Sequence, residues 1–166
     1  MSAGGIFRPG MRGYFVPFVA GIALIVSAFL PWVVIGGVSM QGVPDGPALW
    51  VIGLGAVAAI LAVLSLITRK NSRHPLLIVG LMALGIMFLS WRILPRTAGE
   101  RALTISQAFA IVENTEMKDA PPAFVGAGIY LGLVAACMIV AFGMTIVVKR
   151  VSSRPYTVPT PDDDVD

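Results

Sequence analysis

Residues 48–68 read ALWVIGLGAVAAILAVLSLIT and contain no charged side chain. At a rise of about 1.5 Å per residue, an α-helix of this length extends about 30 Å, which is the thickness of the hydrocarbon core of a bilayer. Uncharged apolar stretches of this length are typical of transmembrane helices rather than of helices buried in soluble domains. The stretch therefore predicts that the chain crosses a membrane.

The chain contains three further apolar stretches of similar length, at about residues 14–36, 76–94 and 124–148. None of the four shows the alternation of apolar and polar residues that marks the strands of a transmembrane β-barrel. Helix is then the remaining conformation that satisfies the backbone hydrogen bonds inside lipid. We therefore expect an all-α fold with four transmembrane helices in an antiparallel bundle.

The overall composition agrees with a membrane location. Hydrophobic residues make up 57% of the 166 residues and charged residues 13%, whereas about a quarter of the residues of a soluble domain are charged. The mean hydropathy is +0.86 and the sequence pI is about 9.4. Because the basic residues lie in small groups beside the apolar stretches, they indicate orientation in a membrane rather than a nucleic-acid-binding face.

The distribution of lysine and arginine predicts this orientation. Eight of them lie in segment 1–13, in the segment between the second and third stretches and in segment 149–166, against three on the other side. Cytoplasmic segments carry the excess of positive charge, so we expect both termini in the cytoplasm and the chain in the bacterial inner membrane. The eight are Arg8, Arg12, Arg69, Lys70, Arg73, Lys149, Arg150 and Arg154, and the three are Arg96, Arg101 and Lys118.

The N-terminal segment also has features of a signal peptide, since Arg8 and Arg12 precede an apolar run. The run is longer than the apolar part of a signal peptide and lacks a small-residue cleavage site. We therefore expect an uncleaved first helix.

The external loop, residues 95–123, is the longest segment between the apolar stretches. Ile105, Phe109 and Val112 recur there at helical spacing, joined by Ala108, which predicts a short amphipathic external helix. Its candidate N-cap residues are Thr104 and Ser106. Such a helix either lies on the outer leaflet and covers the bundle, or presents Phe109 to a partner protein.

The C-terminal residues 152–166 read SSRPYTVPTPDDDVD, which combines four acidic residues, three prolines and few apolar residues. This composition predicts an extended or disordered cytoplasmic tail. Its one aromatic residue, Tyr156, is a candidate contact with a neighbouring subunit.

Side chains able to carry chemistry are scarce in the apolar stretches. Arg92, next to Trp91 near the end of the third stretch, is the one ionisable residue that we place inside a span. Its guanidinium either extends to the lipid headgroups, with Trp91 at the interface, or hydrogen-bonds a neighbouring helix or subunit. The single histidine, His74, lies in a turn before Pro75, and the single cysteine, Cys137, cannot form an internal disulfide.

The sequence also lacks the patterns that identify common active sites. It has no Cys/His spacing typical of a metal site, no paired carboxylates inside a span, and no nucleotide-binding or nucleophile motif. We therefore expect no catalytic residue, no metal site and no cofactor held by side-chain ligands, and we do not expect an enzyme. Lipids or pigment tails are ligands that the apolar helix faces can still hold.

Small residues are the positive signal within the spans. Gly128 and Gly132 form a GxxxG pattern, and Gly55 with Ala59 forms a comparable pair. Gly80 and Gly85 further reduce the bulk of the third stretch. Such residues allow close approach of helices, either within this chain or to another subunit.

The segment FLPWVVIGGVSMQGVPDG, residues 29–46, is the most distinctive part of the sequence. Pro31 and Trp32 stand near the end of the first span, and Trp50 follows the glycine-rich turn, so that Trp32 and Trp50 are expected at the outer interface. This Leu-Pro-Trp exit resembles that of small four-helix bacterial membrane proteins, which are mostly uncharacterised. The resemblance covers the first hairpin and implies no activity.

These observations favour a non-catalytic accessory subunit of a larger bacterial membrane complex, for example a photosynthetic or respiratory one, which contacts lipids and other membrane-protein subunits. A stand-alone small transporter, channel or lipid-binding protein is the alternative. A membrane enzyme is the third hypothesis, and it requires that loop residues such as Glu100, Arg101, Glu113 and Glu116 converge at a cleft.

The predicted topology can be tested with single cysteines at Asn114 and Thr157 in a Cys137→Ser background. We expect a membrane-impermeant maleimide to label the cysteine at Asn114 in intact cells, and the cysteine at Thr157 only after lysis. Labelling of both cysteines from the same side of intact cells would contradict the topology.

Overall fold

The computed structural model describes residues 12–68, 73–114 and 122–152, which are mostly helical with a small sheet. A short 3₁₀ turn (Arg12–Tyr14) precedes helix α1 (Phe15–Phe29). Strands β1 (Pro31–Ile35) and β2 (Val38–Gln41) follow, and then helices α2 (Gly46–Thr68) and α3 (Arg73–Glu113). Strand β3 (Ala123–Val125) precedes helix α4 (Ala127–Ser152).

Helix α1 ends at Phe29 rather than at Gly36. Leu30 is extended, with φ −85° and ψ 162°, which is the conformation that a following proline favours. Pro31 then has no N–H with which to continue the helix. The expectation of one uninterrupted helix from Tyr14 to Gly36 is therefore wrong, because its last part forms β1.

Strands β1 and β2 form an antiparallel hairpin in which Ile35 pairs with Val38. Gly36 and Gly37 make the two-residue turn, with φ of 55° and 85°. A type I′ turn requires positive φ at both central residues, and glycine adopts it without strain. The fold is therefore not all-α, although the helical part of the expectation is confirmed.

Strand β1 is the central strand of the sheet, because β3 pairs with its other edge and places Val125 opposite Val33. The register between β1 and β2 shifts between Pro31 and Val33, which leaves Trp32 as the extra residue of a bulge. The carbonyl oxygen of Trp32 accepts a hydrogen bond from the N–H of Gly126 at 2.7 Å. The sheet thereby joins the end of α1 to the start of α4.

The hairpin also satisfies carbonyl groups at the C-terminal end of α1, which have no partner within the helix. The indole N–H of Trp32 donates to the carbonyl oxygen of Ser27 at 2.8 Å. The N–H of Val43, beyond β2, donates to the carbonyl oxygen of Ala28 at 3.1 Å. The chain that follows α1 therefore caps it.

Helix α3 is a single helix of 41 residues with Pro95 inside it. At about 1.5 Å per residue it is about 60 Å long, roughly twice the thickness of the hydrocarbon core. The sequence predicts a third helix that ends at Leu94 and a separate helix within the external loop 95–123. Both expectations are wrong, because residues 95–113 continue the same helix.

The candidate N-cap residues Thr104 and Ser106 accordingly lie within α3 rather than at a helix start. The hydroxyl of Thr104 donates to the carbonyl oxygen of Glu100 at 2.9 Å. This is the bond of a threonine in a helix interior, where the hydroxyl reaches back one turn.

Local bonds support α3 where it passes through Pro95. A proline removes one backbone hydrogen bond from a helix interior. The hydroxyl of Thr97 lies 3.1 Å from the carbonyl oxygen of Leu94 and 3.3 Å from that of Ile93. The carbonyl that loses its partner at Pro95 is that of Trp91, four residues earlier, so the bonds of Thr97 add to the next turn of the helix and do not replace the lost one. Helix α3 also packs against β1 and β3, which adds tertiary contacts.

The helices approach each other closely through glycine. Helix α1 packs against α2 and α4, and α3 packs against α4 and α2. A Cβ atom on Gly21 would lie 2.8 Å from the carbonyl oxygen of Gly55 and 3.0 Å from the amide nitrogen of Ala59. The small pair predicted from the sequence, Gly55 and Ala59, therefore forms the contact between α1 and α2, as small residues do in membrane helices.

Most of each helix surface is apolar and faces away from the protein interior. In the apolar windows of α2, α3 and residues 127–145, 33%, 28% and 39% of the residues are buried. Among the described residues, these three helices are long and apolar enough to cross a membrane, and α1 is a shorter apolar helix. Large exposed apolar surfaces of this kind are typical of membrane proteins rather than of soluble monomers.

The contact between α1 and α2 can be tested with Gly55→Ala. A Cβ at this position would lie 2.7 Å from the carbonyl oxygen of Gly21, so we expect the free energy of unfolding to fall by about 1 to 3 kcal/mol, as for other overpacked sites. Gly85→Ala is the matched control, because a Cβ at Gly85 meets nothing within 4 Å. Thermal unfolding in detergent measures both variants, and equal stabilities would contradict the close contact.

Candidate interaction site at the sheet end of the helices

The sheet lies where α1 ends and where α2 and α4 begin. We call this part of the molecule the sheet end. Helix α3 passes the sheet and continues beyond it, and we call its residues 96–113 the α3 extension. Cavities on both sides of α3 at this level are the concave features that could hold a ligand or a partner.

The first cavity, of about 460 Å³, lies between the hairpin and α3. Its volume falls within the range of small-ligand pockets, about 300 to 1,000 Å³. Its walls are mostly apolar, and four polar side chains, Gln41, Asp45, Thr97 and Arg101, also line it. The main apolar residues in the walls are Trp32, Val33, Val43, Leu94, Ala98 and Ile105.

The second cavity, of about 550 Å³, lies between the start of α2 and the middle of α3. Trp50 of α2 forms one wall, and Ile86 and Ser90 of α3 lie opposite. Leu94 and Thr97 line both cavities. The two cavities therefore adjoin at these two residues, and we call the pair, which extends from Ile86 to the α3 extension, the groove along α3.

One face of α3 runs through this groove and past it. Leu94, Ala98, Arg101 and Ile105 are separated by four, three and four residues, which places them on the same side of a helix. The same spacing continues to Phe109 and Val112. The face is exposed from Ile105 onward, since the exposed fraction is 57% for Ile105, 62% for Phe109 and 83% for Val112. The α3 extension therefore presents an apolar strip, which we define as Ile105, Phe109 and Val112.

A third, smaller cavity of about 310 Å³ lies on another side of α3 and contains Trp91, Arg92, Pro95, Arg96 and Val125. The rings of Trp91 and Phe88 pack at 5.8 Å with a tilt of 46°. The structure thus brings together Trp91 and Arg92, as their adjacency in the sequence implies. Both side chains are exposed.

The two other tryptophans differ in their surroundings. Trp50 is 65% exposed, which suits the interface position expected of it. Trp32 is 2% exposed, and its ring forms part of the wall of the first cavity. Trp32 is therefore a poor candidate for contact with another subunit, since its side chain packs inside the chain and caps α1.

The GxxxG pattern of α4 also faces the protein interior. A Cβ atom on Gly128 would lie 2.7 Å from the carbonyl oxygen of Ser27, and one on Gly132 would meet the side chain of Met87. These glycines therefore pack against α1 and α3 of the same chain, which leaves no room for another subunit to contact them. The last candidate contact, Tyr156, lies outside the described residues.

The acidic residues considered for an enzyme do not converge. Glu100 and Glu113 both lie on α3, where 13 residues of helix separate them by about 20 Å. Glu116 lies outside the described residues. Within the part of the chain that is described, no group of three or more His, Cys, Asp or Glu side chains is arranged to hold a metal ion.

Asp45, Thr97 and Arg101 line the groove, but their positions in the sequence do not predict them as a group. They come from a loop before α2 and from two turns of α3 within residues 95–123, which the sequence predicts as a loop. The spacing of Leu94, Ala98 and Ile105 was the available signal, because it continues the helical pattern through Pro95.

In comparisons with known proteins, no family model, curated protein or solved structure matches the chain. The geometry of the site is therefore the basis for its interpretation.

Proposed function

We propose that this chain is an integral protein of the bacterial inner membrane that crosses the bilayer four times as an antiparallel bundle, with both termini in the cytoplasm and the sheet end outside. We further propose that it is a non-catalytic subunit of a larger membrane complex. In this role it contacts another membrane protein through the apolar strip of the α3 extension.

The length of α1 supports the first crossing. The helix itself has 15 residues, and the preceding 3₁₀ turn adds three more. At about 1.5 Å and 2 Å per residue respectively, the two extend about 28 Å. This is close to the thickness of the hydrocarbon core, and in the proposed orientation Pro31 and the sheet lie at the outer boundary.

The hydrogen bonding of the sheet supports its position near this boundary. Non-helical backbone at such depth is tolerated where its polar groups are satisfied by protein. Strand β1 is paired along both edges, with β2 and β3. Within β1, the indole N–H of Trp32 also donates to Ser27 of α1, and the carbonyl oxygen of Trp32 accepts from the N–H of Gly126.

The exposure of the apolar strip is the observation that carries the proposed role. Ile105, Phe109 and Val112 lie at least about two turns beyond Leu94, the last residue of the third apolar stretch. In the proposed arrangement they project into the aqueous phase or the headgroup layer, where exposed apolar surface is unfavourable by about 25 cal/mol per Å². A surface of this kind on a rigid helix is typical of a protein interface.

The polar groups of the bundle interior support a packing role. The hydroxyl of Ser27 donates to the carbonyl oxygen of Leu24 at 2.6 Å, and that of Ser65 donates to Leu61 at 2.8 Å. These are bonds within single helices. Ser27 and Ser65 are therefore engaged within their own helices and are not free to line a polar path through the bundle.

The double variant Phe109→Ser and Val112→Ser tests the proposed interface. We expect it to weaken assembly by at least about tenfold, because loss of even one buried large apolar side chain costs about 1.5 to 3 kcal/mol. The measurement is the apparent mass of the tagged chain after mild solubilisation of native membranes, by native gel electrophoresis. The wild-type chain is expected in a large assembly and the variant at the mass of the free chain.

The matched control is the double variant Leu103→Ser and Ile111→Ser, because both residues are exposed on the same extension but lie outside the strip. This control is expected to migrate with the wild-type assembly. Migration of the wild-type chain alone, or equal loss of assembly in both variants, would contradict the proposal.

A further inference from the structure

We propose that the groove along α3 binds one phospholipid of the outer leaflet, with a primary ammonium group in its headgroup. An acyl chain of the lipid lies in the second cavity, against Trp50 and Ile86. The headgroup lies in the first cavity, against Arg101 and Asp45. The inference rests on the transmembrane arrangement proposed above, but not on the partner interface.

The length of the groove matches one leaflet. Ile86 lies next to the middle of the third apolar stretch, residues 76–94, and therefore near the bilayer midplane. Arg101 lies 15 residues further along the same helix, which corresponds to about 22 Å. Half of a bilayer with its headgroups is about 20 to 22 Å thick. The guanidinium of Arg101 is therefore at the depth of the lipid phosphates.

The lining changes along the groove as a phospholipid requires. The midplane end is lined by apolar residues, with Ser90 as its one hydroxyl, and Thr97 lies where the two cavities meet. The opposite end adds Gln41, Asp45 and Arg101. An acyl chain fits the first environment, and a charged headgroup fits the second. Trp50, at the side of the groove, has the interface position in which tryptophan is enriched.

The charges at the headgroup end select the class of lipid. Arg101 can donate two parallel hydrogen bonds to a phosphate, which is a geometry that guanidinium groups favour. Asp45 lines the same cavity, and both side chains are exposed there. A carboxylate near the phosphate disfavours a headgroup that is only anionic, and it can accept hydrogen bonds from an ammonium group. Phosphatidylethanolamine carries both groups, whereas phosphatidylglycerol carries only the phosphate.

The test uses the full chain reconstituted into phosphatidylcholine vesicles with a trace of photoactivatable lipid, which is either phosphatidylethanolamine or phosphatidylglycerol with a diazirine in the acyl chain. Mass spectrometry locates the cross-links. Labelling of the groove, at residues 47–50 and 86–97, is divided by labelling of the outward surfaces of α1 and α4 around Ile22 and Val134. This ratio corrects for annular lipid and for the extent of insertion.

We expect the groove ratio to be about tenfold higher for phosphatidylethanolamine than for phosphatidylglycerol, the size of effect given by one or two charge-assisted hydrogen bonds. Asp45→Asn should remove this preference, because the carboxylate that accepts from the ammonium group is lost. Arg101→Gln should lower the groove ratio of both lipids, because both carry the phosphate that the guanidinium binds. Arg96→Gln is the matched control, because Arg96 lies on the same helix but lines the third cavity, and it should retain the wild-type ratios of both lipids.

Equal ratios for the two lipids in the wild-type chain would overturn the proposal, and so would an unchanged preference in Asp45→Asn or unchanged groove ratios in Arg101→Gln. Absence of labelling around Ile22 and Val134 would overturn the transmembrane arrangement on which it rests. The partner interface is measured separately by assembly in native membranes, so that its failure would be distinguishable from failure of the lipid site.

Discussion

Inside a bilayer no water is available to hydrogen-bond the backbone, so each peptide group must find a partner within the protein. The end of α1 shows how this chain meets that constraint. Pro31 stops the helix, and the carbonyl oxygens left without partners receive bonds from the hairpin that follows, including the indole N–H of Trp32 at 2.8 Å from Ser27. The sheet, the burial of Trp32 and the position of α4 all follow from this capping arrangement.

The constraint also explains why small residues and the long helix dominate the rest of the structure. Close approaches such as that of Gly21 to Gly55 bring the helices together where the hydrophobic effect between helices is weak. Helix α3 satisfies its own backbone over 41 residues, apart from the bond lost at Pro95, and so can leave the bundle without a break. Its length gives the protein both a leaflet-long groove and an apolar strip beyond the sheet.

The apolar stretches in the sequence were sufficient to predict the helices, because length and composition determine membrane insertion. They were not sufficient for the boundaries. Val33, Val34 and Ile35 are as apolar as a helix interior, so the strand was overlooked, although the pair Gly36 and Gly37 is the usual signal of a hairpin. Pro95 suggested a helix end, but contacts of α3 with strands β1 and β3 support the helix there. The groove depends on residues brought together from α2, α3 and the hairpin, which spacing along the chain does not reveal.

The proposed transmembrane arrangement depends most on the point at which α3 leaves the hydrocarbon core. Spin labels at Ile78, Leu89, Phe109 and Val112, placed one at a time in a Cys137→Ser background, report this position through their accessibility to oxygen, which concentrates in lipid, and to a water-soluble nickel chelate. We predict high oxygen accessibility at Ile78 and Leu89 and high nickel accessibility at Phe109 and Val112. Oxygen accessibility at all four positions, or nickel accessibility at Leu89, would contradict the account.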